Sequence, residues 1–229
     1  MIPTGSANFI DMVACYFHHC LYIVNAVYSN LVSPAIIRLE MPSKHTEWKV
    51  ENLSSDAVIS VTRSHHVLVL LGGGARKLKL FSTDGVLQKT VELHPDISSV
   101  TCAVELIPGQ YVVTHGRDSD ALHRVCVVNS EGKILHTFGG FRGSHPKLLD
   151  SPSDVGVDKD GFVYVDDEKN NRLIVLSQDL SYLLCMPDVF PKSDFHRRLK
   201  VDKESGCFFV RHVYLNGWLC VNRITMFEI

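Results

Sequence analysis

The residues of this chain that could do chemistry are mainly basic and aromatic side chains, in polar segments between apolar runs. Cationic side chains interleaved with aromatic rings suit single-stranded RNA, because the cations bind phosphates and the rings stack on bases. Acidic residues such as Asp118 and Asp166 lie in the same segments, so a mixed, solvated surface is the alternative. The candidate binding residues are Arg76, Lys77, His115, Arg117, Arg142, Lys147, Lys169, Asn171, Arg172, Arg197 and Tyr214.

Two segments contain potential metal ligands, and neither has the spacing of a metal site. The first is a tight cluster of Cys15, His18, His19 and Cys20. Zinc needs four converging ligands, and no second pair follows at zinc-finger spacing; in one strand, residues 15 and 18 would also point to opposite faces. A calcium loop around Gly161 would begin at Gly156, which has no side-chain ligand. We therefore predict no metal and no cofactor.

No familiar catalytic motif is present in the sequence. The hydrolase pattern Gly-x-Ser-x-Gly is missing. Glycines 72–74, followed by Arg76 and Lys77, lack the spacing of a phosphate-binding loop. The carboxylates between Asp150 and Asp167 fall mostly in predicted hairpin turns, where Asp is favoured because its side chain bonds to the backbone. We therefore predict no catalytic residue.

Composition places the chain among folded domains without a bulk attraction to polyanions. The 229 residues are 45% hydrophobic, which argues against disorder, and the formal charge of −2 predicts neither DNA nor a membrane surface as a partner. Polar residues interrupt the apolar stretch over residues 9–37, so no uninterrupted apolar run in it reaches the roughly 18 residues that a membrane-spanning helix needs. Seven cysteines, mostly within apolar runs, predict free thiols and a cytoplasmic location.

The elements that must position these side chains are short β-strands. Residues 151–176 contain three apolar runs, at 155–157, 162–165 and 173–176, separated by Lys159-Asp160-Gly161 and by an Asn-rich segment. Apolar β-branched and aromatic runs between Asp-Gly and Asn-rich turns are typical of antiparallel hairpins. A polar turn of similar sequence recurs along the chain: 47 residues separate Asp84 from Glu131, and 48 separate Glu131 from Asp179. A period in the forties with about four strands per repeat predicts an all-β propeller.

Residues 151–176 also resemble the NHL repeat, which forms one blade of a β-propeller. The matching features are Pro152 before the first strand, the Asp160-Gly161 hairpin, Tyr164 to Asp167 at the end of the second strand, and Asn170-Asn171-Arg172 before the third. The chain is therefore similar to the C-terminal propeller of tripartite-motif NHL proteins. The resemblance gives Asn170 and Arg172 a structural role within the repeat.

The resemblance implies a non-catalytic scaffold that binds proteins, with target recognition for a ubiquitin-ligase-type protein as its finer form. Some similar propellers bind RNA on the face built from long loops, and others are metal-dependent lyases or lactonases, so both remain alternatives. No RING domain is present in the sequence, so any ligase activity would belong to other sequence. We expect a protein partner, with single-stranded RNA as the second candidate.

The repeat register divides the chain into one propeller domain of about four to five blades. The boundaries are 1–54 for a degenerate first blade, 55–97, 98–149, 150–196 for the NHL-like blade, and 197–229 for a partial last blade. In that last blade we expect a loop over residues 212–217, and we expect residues 225–229 to lie in its third strand. Similar propellers usually close with six blades. The chain is therefore expected to be an incomplete propeller, either a fragment or a small propeller closed by another chain.

Overall fold

The computed structural model of the chain describes residues 9–25, 34–40, 44–72, 74–188, 198–202, 207–216 and 219–228. Within these ranges it contains 19 β-strands and one 3-10 turn, Glu168–Asn170. No helix in this part of the chain is long and apolar enough to cross a membrane.

The strands form five consecutive antiparallel sheets, which are the blades of the fold. Blade 1 contains β1 (Phe9–Cys15), β2 (Cys20–Asn25), β3 (Ala35–Glu40) and β4 (Lys44–Lys49). Blade 2 contains β5 (Val58–Val61), β6 (Val67–Leu70), β7 (Lys77–Phe81) and β8 (Leu87–Glu92). Blade 3 contains β9 (Val100–Ile107), β10 (Gln110–His115), β11 (Leu122–Asn129) and β12 (Ile134–Phe141).

The last two blades complete the described structure. Blade 4 contains β13 (Pro152–Val157), β14 (Val163–Asp167), β15 (Arg172–Leu176) and β16 (Tyr182–Pro187). Blade 5 contains β17 (Arg198–Val201), β18 (Cys207–Asn216) and β19 (Leu219–Glu228). The first strand of each blade contacts the first strand of the next, from β1 through β5, β9 and β13 to β17. This arrangement of meander sheets around their first strands confirms the predicted all-β propeller.

The hydrophobic core lies between the blades. Blades 2, 3 and 4 share one large cluster, in which residues such as Leu68, Val112 and Ile174 are almost fully buried. A second cluster joins blades 1 and 2, and a third joins blades 4 and 5 around Tyr164 and Leu199. Since both faces of a central blade are covered, its second strand is a nearly continuous apolar run, such as Val67–Leu70 in blade 2, whereas its fourth strand is largely exposed and polar.

The recurring polar turn connects the third and fourth strands of blades 2, 3 and 4, as the period predicts. Gly85 and Gly132 have φ angles of 80° and 78°, and Leu180 holds the same position in blade 4 with φ 62°. A Cβ atom at Gly132 would lie 1.7 Å from the carbonyl oxygen of Glu92, so this turn requires glycine on steric grounds as well.

One expectation for blade 5 is wrong and another is confirmed. The predicted loop over residues 212–217 is mostly strand, because β18 continues to Asn216 along an apolar and aromatic run. Residues 225–228 lie in the third strand of blade 5, as expected; this strand begins at Leu219 and pairs with β18 over its whole length. Blade 1 also has a complete first strand, β1, that was not delimited from the sequence.

Side chains of the innermost strands bond to the backbone of the following blade at each of the four consecutive junctions. Two of these contacts use carboxylates as acceptors, and two use a hydroxyl or a thiol as donor. They are Ile59 N–H to Asp11 Oδ2 (3.0 Å), Ser60 Oγ–H to Ala103 O (3.1 Å), Cys102 Sγ–H to Val155 O (3.9 Å) and Leu199 N–H to Asp154 Oδ2 (2.9 Å). The blades are thus held together at the axis by polar contacts as well as by packing.

Candidate functional site

The strand order creates two faces with different connections. Loops between second and third strands, and the connections between blades, lie on one face, which we name the loop face; it includes residues 74–76, 93–99, 116–121, 142–151 and 168–171. Turns between first and second strands lie on the other, which we name the turn face; it includes residues 16–19, 62–66 and 158–162. Of the candidate binding residues predicted from sequence, six lie in these loop-face segments, namely Arg76, Arg117, Arg142, Lys147, Lys169 and Asn171. Lys77, His115 and Arg172 lie at the adjoining strand ends.

Several basic residues of the loop face are paired with carboxylates of the same face. Arg142 Nε lies 2.9 Å from Asp150 Oδ1, and its Nη1 donates to the carbonyl oxygen of Asp118. Lys169 Nζ lies 3.8 Å from Asp118 Oδ1, and Lys77 Nζ lies 2.7 Å from a carboxylate oxygen of Glu92. These pairs offset much of the positive charge that phosphate binding would use.

Arg172 is a buried structural residue. Its Nε donates to Asp167 Oδ2 at 2.6 Å. Its Nη1 and Nη2 donate to the carbonyl oxygens of Ser144, His145 and Leu148 at 3.1, 3.1 and 2.6 Å. The guanidinium therefore fastens the loop that enters blade 4 to the hairpin between β14 and β15, as the repeat resemblance implies.

Asp167 also joins the loop that enters blade 4 to the hairpin between β14 and β15. Its carboxylate accepts hydrogen bonds from Asn170 Nδ2 at 2.8 Å and from the backbone N–H of Asp150 at 2.7 Å. Burial raises the pKa of Asp167, although these bonds and Arg172 favour the charged form. The adjacent Asn171 has φ 50°, a left-handed conformation that Asn tolerates. The Asn-Asn-Arg sequence is thus explained by local geometry.

His115 lies in the protein interior, at the end of β10. Burial, reinforced by the positive charge of Arg124, lowers its pKa to about 4, so the ring is neutral at physiological pH. The nearby His123 is also buried, and its Nδ1 accepts the backbone N–H of Ser151 at 2.8 Å. His123 therefore joins blade 3 to the loop that enters blade 4, and neither histidine is exposed on the loop face.

The other candidates are dispersed. Arg76 donates to the carbonyl oxygen of Pro95 at 3.4 Å, and Arg117 and Lys147 are exposed on separate loops. Arg197 lies outside the described residues. Tyr214 belongs to β18, where only the backbone is described. Among the described residues, the loop face therefore presents a mixed surface on which these groups do not converge.

The turn face has a cavity of about 800 Å³ that the sequence did not indicate. It lies between the first and last of the innermost strands, β1 and β17, and reaches the turns of blades 1, 2 and 4. Its apolar lining includes Met12, Ala14, Tyr16, Phe17, Val61 and Phe209. Met12, Tyr16 and Phe17 are 52%, 75% and 67% exposed, which is high for large apolar side chains.

An aromatic stack forms part of the cavity rim. The rings of Phe17 and His65 are parallel within 6° and their centroids are 4.1 Å apart, while His18 meets both rings edge-on. His65 has φ 62° and occupies the turn position that Gly161 holds in blade 4. The turn therefore places an imidazole ring at the cavity where blade 4 has a glycine.

Three basic side chains surround the cavity, namely Arg63, Lys159 and Lys200. Arg63 Nη2 donates to the carbonyl oxygen of Lys159 at 3.5 Å, which links blades 2 and 4. Lys200 Nζ lies 3.7 Å from Asp11 Oδ2, which links blades 5 and 1. Burial would lower the pKa of Lys200, but the carboxylates of Asp11 and Asp154 outweigh it and raise the pKa above its usual value. The amine therefore stays charged beside the apolar wall.

The Cys15 region also differs from the sequence expectation. Cys15 Sγ and His18 Nδ1 are 3.3 Å apart, so the expectation that they point to opposite faces is wrong, because residues 16–19 form a turn rather than a strand. Within the described part of the chain, no group of three His, Cys, Asp or Glu residues could hold a metal ion. Burial raises the pKa of the Cys15 thiol, which makes it a poor metal ligand and nucleophile.

Comparison with known proteins identifies the fold and no family. The sequence matches no protein-family model and no curated protein. Among solved structures, the chain is similar to a catalytically inactive variant of virginiamycin B lyase from Staphylococcus aureus bound to quinupristin, with a TM-score of 0.64 and 14% identity over 100% of this chain and 72% of the lyase.

Two further similar structures come from other functional settings. One is from a nidogen/laminin complex, with a TM-score of 0.61 and 11% identity over 90% of this chain and 76% of that chain. The other is the Swd1 propeller of Myceliophthora thermophila, with a TM-score of 0.56 and 12% identity over 91% and 68%. At identities this low, the structural similarity shows the fold alone. It confirms the predicted β-propeller, and it does not show that the chain belongs to the NHL family.

Proposed function

We propose that this chain is a non-catalytic binding propeller that recognises a segment of a partner protein at the cavity of the turn face. The observation that carries the proposal is the exposure of Met12, Tyr16 and Phe17 around one concave site. Contiguous exposed apolar side chains on a folded domain typically mark an interaction site. The cavity volume of about 800 Å³ also falls in the range of roughly 300–1,000 Å³ that is usual for ligand sites.

The structural neighbours are compatible with this proposal without deciding it. One similar structure belongs to a nidogen/laminin complex, which is an assembly of two proteins. Another is a lyase, so an enzymatic function is the alternative. The finer proposal, that the propeller selects targets for a ubiquitin-ligase-type protein in the cytoplasm, depends on the NHL-like sequence of residues 151–176.

RNA binding on the loop face has weaker support. Arg142, Lys169 and Lys77 contact carboxylates, and Arg172 is buried. A surface that binds RNA phosphates needs cations whose charge is available, because counterion release supplies much of the affinity. An experiment that compares the two faces can therefore separate the protein-binding and RNA-binding hypotheses.

The chain offers a matched pair of positions for this comparison. Phe17 is 67% exposed on the turn face, and Phe141 is 73% exposed at the loop-face end of β12. Each would be replaced separately by the photo-crosslinking residue p-benzoylphenylalanine, and the chain irradiated in cells. We expect protein adducts from position 17 and few from position 141. Adducts only from position 141, especially ones sensitive to ribonuclease, would overturn the proposal and favour the loop face.

A further inference from the structure

The junction between blade 5 and blade 1 differs from the four junctions that precede it. At each of those, a side chain of the innermost strand bonds to the backbone of the next innermost strand, as in the contact of Ser60 Oγ with Ala103 O. At the junction of blades 5 and 1, the described residues show an ion pair between Lys200 and Asp11. This contact joins two side chains rather than a side chain and the backbone. The cavity occupies the space beside it.

Lys200 stands where Ser60 stands in blade 2. Ile59 and Leu199 are equivalent, because each donates its backbone N–H to a carboxylate of the preceding blade, and Ser60 and Lys200 directly follow them. Ser60 donates to a backbone carbonyl of the following strand. The Lys200 amine has three donors on a longer stem, and its side chain is 39% exposed. It is therefore positioned to donate to a carbonyl of a strand placed in the cavity.

The β1 wall of the cavity has the surface of an uncovered blade face. Met12 and Ala14 are exposed, whereas Asp11 and Cys15, on the opposite side of the strand, are buried against blade 2. In blades 3 and 4, by contrast, the apolar residues of the first strand are covered on both sides by neighbouring sheets. A strand bound in the cavity could form the same kind of interface as the four junctions. Its apolar side chains would cover Met12 and Ala14, and its backbone carbonyl groups would face β17.

We propose that the cavity binds an extended β-segment of a partner protein, with apolar side chains at alternate positions that face Met12 and a backbone carbonyl that accepts from Lys200. This inference rests on the proposed function, since it specifies which element of the partner is recognised. The occupant continues the inter-blade interface that the chain already builds four times. Strand alternation places every second side chain on one face, so the segment needs a two-residue period.

The probe for this inference is a phage-displayed library of random dodecapeptides, selected on the immobilised 229-residue chain. We expect the enriched peptides to alternate β-branched or aromatic residues with polar ones. Their affinity should fall at least tenfold in Met12→Glu, which places a charge on an exposed wall position without disturbing the core. It should fall at least fivefold in Lys200→Met, and stay unchanged in Lys89→Met, a control on the exposed strand β8.

Each outcome separates the two proposals. Peptides with three- and four-residue apolar spacing, or alternating peptides that bind Lys200→Met normally, would overturn the β-segment while leaving protein binding at the cavity intact. A chain that self-associates and becomes monomeric in Met12→Glu would overturn it in favour of a second copy as occupant. Failure to enrich any peptide, together with no adducts from position 17, would instead overturn the proposed function. Thermal unfolding of each variant establishes that it folds.

Discussion

Replacement of Arg172 by alanine is expected to lower the free energy of unfolding by about 4 kcal/mol. The guanidinium lies 2.6 Å from Asp167 Oδ2 and also donates to three backbone carbonyl oxygens of residues 144–148. Alanine would leave the fully buried Asp167 carboxylate without its charge partner, and the three carbonyl groups would lose a donor.

The magnitude follows from the burial of both partners. Removal of one member of a buried ion pair costs about 3–5 kcal/mol, and an orphaned neutral acceptor adds about 1 kcal/mol where water cannot replace the donor. Water can enter part of the space that alanine leaves, and the contributions overlap, so we expect a value near the middle of that range. Because a domain of this kind is stable by about 5–15 kcal/mol, the variant should fold but unfold much more easily.

Urea unfolding followed by far-ultraviolet circular dichroism measures this loss, and Arg142→Ala provides the matched control. Arg142 makes the same type of contact with Asp150, but its side chain is 49% exposed, so its loss should cost at most about 1 kcal/mol. Arg172→Lys keeps the charge without the planar fork and should lie between the two. Equal losses for Arg172→Ala and Arg142→Ala would refute the structural role assigned to Arg172.

Two further predictions concern histidines in different settings. Folding lowers the pKa of His115 from an ordinary value of 6.5 to about 4, so the unfolded chain binds a proton more readily than the folded one between these pH values. The free energy of unfolding is therefore unaffected by this group above pH 6.5. It falls by up to about 3 kcal/mol as the pH drops from 6.5 through 4. The stability difference between the wild type and His115→Leu should therefore shrink over this range in urea titrations, and parallel curves would contradict it. His65→Gly should raise the unfolding free energy by about 0.5–1 kcal/mol by relieving the positive φ, yet reduce crosslinking at position 17, since the ring that stacks on Phe17 is lost. A gain in both the unfolding free energy and the crosslinking yield at position 17 would show that the stack has no role in binding.

The fold could be predicted because its signals are local. The turn around Gly132 and its counterparts in two other blades repeats at a nearly constant interval, and a period in the forties with about four strands has few solutions. The errors occurred where the local signal was weak: β18 continues through residues whose polar members suggested a loop. Residues 16–19 form a turn without the Gly or Asp that marks the equivalent turn at Gly161.

The candidate site could not be predicted, because it depends on which residues the topology brings together. Residue type alone does not show that Arg142 contacts Asp150, or that Arg172 is buried. The cavity lies between β1 and β17, near opposite ends of the chain, so no spacing in the sequence relates Met12 to Lys200. The available signal was the aromatic pair Tyr16 and Phe17 in a tight turn, where polar residues are usual.

The most direct test of the account is the comparison of photo-crosslinking from positions 17 and 141, because both are exposed phenylalanines on opposite faces of one propeller. The account predicts protein adducts from position 17 that Met12→Glu abolishes, with position 141 near background. Adducts from position 141 that persist in Met12→Glu, with none from position 17, would contradict it and return the search to the loop face.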